Sequence, residues 1–194
     1  MKMKENKIFL YQRRFSLVEG SAKQIILGLM ASIALALCAK IQFYLSISPV
    51  PFVMQNTLLL FFAAGLGRKG ALAMVLAFLG QGAFGLPVFA GGVGGLAILL
   101  GPAGGYLVGY AVAAFCVAWL QEKRDCHSSR TLFIDIALGG FVIYFFGALH
   151  LATFLGGLSK AIVVGVIPFV LTDLIKVAAL TTLASLVTRS HSSV

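Results

Sequence analysis

Between Lys69 and Glu122 lie 52 consecutive residues without a charged side chain or a histidine. A water-soluble domain cannot solvate such a stretch, whereas a helical bilayer crossing needs about 20 apolar residues and satisfies its own backbone. The run is long enough for two crossings and the link between them. That link, GQGAFGLPVFAGGVGGL from Gly80 to Leu96, is too broken by glycine and proline for one helix and too apolar for an ordinary aqueous loop. Eleven of the 22 glycines fall between Gly80 and Gly109, which predicts closely packed backbone there.

The rest of the chain fits the same solvent. Hydrophobic residues make up 60% of it, only 21 of 194 residues are Asp, Glu, Lys or Arg, and the mean hydropathy is +1.01. These values predict an all-α membrane protein folded as one helical bundle. Apolar runs place six spans at about 24–45, 51–67, 70–84, 95–120, 131–155 and 167–187. They divide the chain into a basic N-terminal segment (1–23), a six-helix transmembrane domain (24–187) and a short tail (188–194).

The net charge of +9 does not signal nucleic acid, because the cations flank the spans instead of lining one face with interleaved aromatics. With both termini cytoplasmic, twelve Lys and Arg residues fall on the inside, among them Arg68, Lys69, Lys123, Arg124 and Arg130, and only Lys160 falls on an outer link. That asymmetry sets the orientation. The patch IFLY at Ile8 to Tyr11, flanked by basic residues, is too short to span and is expected to lie on the anionic inner leaflet.

Several functions are disfavoured. Cys38, Cys116 and Cys126 have no metal-ligand or redox spacing and read as apolar filler. A cleaved signal or lipid anchor is not expected, since Leu37 before Cys38 is too large for such a processing site. There is no GxxxxGK[ST] string, so the chain carries no Walker A ATPase of its own, and no HExxH or GxSxG accompanies His150 and Asp173 as an intramembrane acid and base pair. His150 reads as a hydrogen-bonded packing residue, Asp135, close to Arg130 and the cytoplasmic surface, as interfacial and no site candidate, and Trp119 as an interfacial anchor.

The unusual features gather on the links expected to face outward. SISPVPFVMQN, with Pro49 and Pro51, delivers Phe52, Gln55 and Asn56 to the start of the second span. The third link supplies Phe89 and the Gly91, Gly92, Gly94, Gly95 cluster, then Tyr106 in LGPAGGY. Span six carries Asp173 and Lys176, three residues apart on one helix face and about 10 Å deep at 1.5 Å per residue. Charges at that depth face a cavity or one another. They read either as a self-neutralising structural pair or as a ligand site, Asp173 accepting from a neutral N–H group and Lys176 holding an anion. On span one, Gly28, Ser32 and Ala36 are spaced four apart, a small-residue stripe suited either to internal packing or to docking a partner subunit.

The strings PVPFVMQN (Pro49 to Asn56), LGQGAFGLPVFAGGVGGLAILLGPAGGYLVGY (Leu79 to Tyr110) and GVIPFVLTDLIK (Gly165 to Lys176) resemble the BioY family, the biotin-specific S components of energy-coupling-factor transporters. The resemblance implies a six-helix subunit of the S-component type that captures biotin from outside. Its implied partners are a transmembrane coupling subunit and two cytoplasmic ABC-type ATPases in a prokaryotic plasma membrane. No cofactor is implied, ATP being used only by those partners. Carried over by position, the binding region falls on Phe52, Gln55, Phe89, Gly91, Gly92, Tyr106, Asp173 and Lys176, and the docking surface on Gly28, Ser32 and Ala36. Two positions depart from the family pattern: Lys40 stands in place of a neutral glutamine and Asn56 in place of threonine. Lys40 either snorkels outward beside Tyr44 or supplies a second cation to a ligand carboxylate. The alternatives left by the sequence are an S component for another carboxylated vitamin and an autonomous secondary transporter.

Overall fold

The computed structural model describes residues 21–40, 42–43, 52–124 and 128–190; side chains are described except at 42, 43, 52 and 186–190. The patch at Ile8 to Tyr11, Pro49, Pro51, Tyr44 and Cys126 lie outside the described residues, as do nearly all of segment 1–23 and the end of the tail. The described chain is a bundle of α-helices with one antiparallel pair of two-residue strands.

Helix α1 (Ser21–Cys38) is followed by β1 (Gln42–Phe43), which pairs with β2 (Phe52–Val53) in the register Gln42 to Val53 and Phe43 to Phe52. The first span thus ends before the expected residue 45. Helix α2 (Gln55–Ala83) occupies both the second and third predicted spans. It is interrupted at Gly67, whose φ of 71° and ψ of 170° are not helical. Glycine alone adopts such a φ without a Cβ penalty. In an unbroken helix Asn56 and Phe78 would stand about 33 Å apart at 1.5 Å per residue. Instead both meet Tyr110: Asn56 Oδ1 accepts from its hydroxyl, and the Phe78 ring centroid lies 6.5 Å from that of Tyr110. Gly67 therefore folds the run back on itself, giving two arms, 55–66 and 68–83.

The expected fourth span is also divided. A short α3 (Leu96–Leu100) stops at Gly101, and α4 (Gly104–Lys123) starts two residues after Pro102, which has no N–H to extend a helix through this point. Helix α5 (Ser129–Leu155) opens with Ser128, whose hydroxyl accepts from the Thr131 amide while the Thr131 hydroxyl accepts from the Ser128 amide. It closes on Gly156 in the left-handed conformation. The link beyond contains α6 (Leu158–Gly165), and α7 (Ile167–Ser190) carries Pro168 in its first turn, where a missing N–H costs nothing.

Among the described residues, five helices (α1, α2, α4, α5 and α7) are long and apolar enough to cross a membrane. Their outer faces agree: Met30, Leu37, Phe141, Phe145, Leu171 and Ile175 are all exposed. Such surface is unfavourable in water and suits hydrocarbon. The inner faces of α2, α4 and α5 form the core, with Leu59, Met74, Phe78, Val117, Ile136 and Ile143 buried.

One end of the bundle is held by charges. The Arg68 amide donates to Glu122 Oε1 at 2.7 Å and its guanidinium pairs with the same carboxylate, so the end of α4 caps the second arm of α2. Lys69 Nζ lies 2.6 Å from Ser21 Oγ. Asp135 is fully buried at this end: nearly two helical turns into α5, its carboxylate accepts from Arg124 and Gln121 at the end of α4. Trp119 is partly exposed near this end, with Lys123 Nζ 4.7 Å from its ring centroid.

Candidate functional site

At the opposite end the irregular segments enclose a cavity of about 250 Å³. Its wall is built from β2, the start of α2, the 84–95 link, α3, the first turns of α4, the middle of α5 and the α6–α7 junction. The link reaches inward because Gly91 and Gly92, at φ of 85° and 68°, turn the chain tightly enough for Phe89 and Val93 to pair through their backbones. Phe89 is thereby buried against the Phe78 ring, centroids 5.5 Å apart and edge to face, with its own ring pressed on Gly82.

Tyr106 crosses the bundle from α4, lies over Gly147 and donates to the Gly165 carbonyl at 2.8 Å, tying α4 to the end of α6. Tyr110, one turn further along α4, donates to Asn56 Oδ1. Tyr144 of α5 donates to Asp173 Oδ2 at 2.5 Å, and Asn56 Nδ2 reaches the same oxygen at 3.5 Å. Asp173 Oδ1 pairs with Lys176 Nζ at 2.6 Å, and Lys176 also donates to the Val53 carbonyl at 3.0 Å. A continuous polar network thus runs from Tyr110 through Asn56 to Asp173, and from there to Tyr144 and Lys176.

Gln55, Phe89 and Tyr106 line the cavity as their positions in sequence imply. Asp173 and Lys176 do not line it: Asp173 bonds the lining residues Asn56 and Tyr144 from behind, and Lys176 bonds the backbone of Val53, also in the lining. Gly91 and Gly92 shape the link without reaching the cavity wall. Phe52 belongs to β2, and its side chain lies outside the described residues. Lys40 is exposed beyond the end of α1 and is not part of the wall. Tyr110 and Tyr144 were not foreseen. Tyr110 is legible in hindsight, four residues after Tyr106 on the same helix face, whereas Tyr144 lies in no distinctive string.

Among the described residues the wall has no charged side chain. It does have a donor without a partner among the described residues: Gln55 is 2% exposed, and its Nε2 meets no hydrogen-bond acceptor there. A buried amide in that state is costly and calls for an acceptor from a ligand or water. His150 is occupied elsewhere, its Nε2 lying 3.1 Å from the Gly101 carbonyl.

The stripe on α1 turns inward. A Cβ at Gly28 would stand 2.5 Å from the Gly70 carbonyl oxygen, and Ser32 is buried and accepts from Gln81 Nε2 at 3.1 Å. Ala36 is half-buried against the core. Gly28 and Ser32 thus face the second arm of α2.

A sequence model described as the BioY family matches residues 6–193. The Thermotoga maritima protein named biotin transporter BioY is 40% identical over 137 residues, covering 69% of this chain and 79% of that protein. The biotin transporter BioY of Rhizobium etli is 38% identical over 167 residues, covering 80% and 88%. Among solved structures, the S-component for biotin from an ECF-type ABC transporter superposes with a TM-score of 0.77 at 26% identity, covering 88% of this chain and 92% of that one. With a family match spanning nearly its whole length, this chain belongs to the BioY family.

Proposed function

We propose that this chain captures biotin and delivers it across the membrane as the substrate-binding subunit of an ECF-type ATP-driven transporter. The observation that carries the reading is the cavity at the end of the bundle opposite the Arg68–Glu122 pair, whose apolar wall holds a few convergent polar groups, the arrangement expected of a small-molecule site. Its volume suits a compact ligand with an apolar body. The relatives named above are biotin transporters, and the superposed structure is a biotin S-component.

The chain performs no covalent chemistry, and the energy comes from partners: a transmembrane coupling subunit and two cytoplasmic ATPases. The fold-back at Gly67 converts five long helices into six crossings. The charge bias then leaves both termini cytoplasmic and the cavity facing outward in a prokaryotic plasma membrane. Gln55, Phe89 and Tyr106 contact the ligand, while Asp173 braces the wall behind Asn56 and Tyr144, and Lys176 behind Val53.

Calorimetric titration of biotin into the purified protein, with desthiobiotin and other carboxylated vitamins as competitors, tests this. Saturable binding that only ureido-containing ligands compete for is the expected result. Tighter binding of a different vitamin would replace the substrate, and uptake driven by an ion gradient without ATPase partners would replace the mechanism.

A further inference from the structure

The second arm of α2 and helix α4 start from a common level, because Arg68 pairs with Glu122. Such charges mark the edge of the hydrocarbon. Counting away from them at about 1.5 Å per residue, Gly82 stands about 21 Å up the arm and Gly104 about 27 Å up α4. The hydrocarbon layer is about 30 Å thick, and any tilt of the helices lowers both positions further. The 84–95 link is tied to the lower of them: the Gly95 amide donates to the Gly82 carbonyl at 2.7 Å, and a Cβ at Gly94 would meet the Leu86 carbonyl oxygen. Helix α3 ends at the upper one, the Gly104 amide donating to the Gly101 carbonyl at 2.9 Å. Both ends of the segment from Phe84 to Leu100 therefore sit below the far edge of the hydrocarbon.

The segment suits that solvent. From Phe84 to Gly105 the sequence holds no polar side chain. Phe84 is 92% and Leu100 74% exposed, Leu86 and Leu96 are exposed as well, and the approach of Gly94 to the Gly85–Leu86 backbone sets the two halves side by side. On α3, Ala97 and Ile98 line the cavity, whereas Leu96 and Leu100, one turn apart, stay outside its wall. The amides of Leu86, Val88, Phe89, Gly92 and Gly95 all donate to carbonyls between Gln81 and Val93, and Pro87 has no N–H to satisfy. Irregular backbone persists at membrane depth only where its polar groups are covered in such ways. We infer that residues 84–100 form a re-entrant segment seated in the leaflet at the cavity end, with phospholipid acyl chains covering Phe84, Leu86, Leu96 and Leu100. Lipid then forms the outside of one cavity wall, and no aqueous lid lies over it. The assignment holds whatever the cavity binds.

The chain has a single tryptophan, Trp119 near the charged end, so Trp119→Phe gives a background without indole emission. Phe84→Trp and Leu100→Trp are placed in that background, and the full chain is reconstituted in phosphatidylcholine vesicles, with thermal melting confirming that it is folded. Bromine carried on the acyl chains near the headgroups is expected to lower the emission of both reporters about twofold or more, as befits apolar groups held just below the interface. Bromine near the bilayer centre should quench less, and aqueous iodide not at all. Quenching by iodide without quenching by the brominated lipid would put the segment in water and overturn the inference. Protection from both quenchers would mean that protein covers this face, as a second copy of the chain could, and overturns it too. Should either variant fail to fold, Leu86→Trp and Leu96→Trp repeat the measurement on the same face. The quenching does not depend on the ligand: loss of biotin binding by the wild-type protein would remove the functional reading alone, and exposure of the reporters to iodide would remove this inference alone.

Discussion

Gly28 of α1 lies so close to Gly70 of α2 that a Cβ at position 28 would stand 2.5 Å from the Gly70 carbonyl oxygen. The neighbour is backbone and cannot swing aside, so the two helices owe their separation to the absence of a side chain. Gly28→Ala is expected to destabilise the protein by about 1–3 kcal/mol through overpacking. Gly140→Ala, mid-helix with no atom within 4 Å of the added Cβ, should be neutral or stabilise by up to about 1 kcal/mol. Denaturant titration in detergent measures both, and equal effects would mean that α1 does not pack at this distance.

How far the sequence reaches is clear from particular residues. The break between the second and third spans was legible because Arg68 and Lys69 interrupt two apolar runs, and Gly67 supplies the turn beside them. The end of α1 was not, because Gln42 and Phe43 continue an apolar run whether they lie in a helix or a strand, and only pairing with Phe52 and Val53 decides between the two. Likewise Asp173 and Lys176 were visible as an i, i+3 pair, but the lining groups that Asp173 bonds are remote in sequence, Asn56 by 117 residues and Tyr144 by 29. Periodicity reports which residues share a face of one helix; it carries no information about which other helix covers that face.

The Asp173 and Lys176 side chains are 14% and 10% exposed, so removing either charge takes the ion-pair partner from the other in a largely dry setting. Asp173→Asn and Lys176→Met are each expected to cost about 3–5 kcal/mol. The double variant leaves no unpaired charge and should lose less than the sum of the two, with a coupling energy of about 1–3 kcal/mol. Additive losses in a denaturation cycle would show that the two charges do not depend on each other.

At the charged end, Asp135 is fully buried and held by Arg124 and Gln121, while the Arg124 side chain is one-third exposed. The pair is therefore asymmetric. Arg124→Ala abandons a buried carboxylate and is expected to cost about 3–5 kcal/mol. Asp135→Asn leaves a guanidinium that water can still reach, and should cost distinctly less. Unfolding midpoints measured side by side check the order, and the reverse order would place Asp135 in contact with solvent.

Phe89 joins the link to the cavity, and its position depends on Gly82, since a Cβ there would run into the Phe89 ring. Two substitutions separate the ring's surface from its placement. Phe89→Ala removes apolar contact with the ligand worth about 1.5–3 kcal/mol, roughly a 10- to 100-fold loss of affinity, and also destabilises the fold by about 3–5 kcal/mol as a buried aromatic truncation. Gly82→Ala keeps the ring but pushes it from its seat against Phe78, where the centroids are 5.5 Å apart. It is expected to lower biotin affinity about tenfold while costing only about 1–3 kcal/mol of stability. Full affinity in Gly82→Ala with a loss in Phe89→Ala would mean that the site needs the ring's bulk and not its seating, and full affinity in both would move the ligand away from the link.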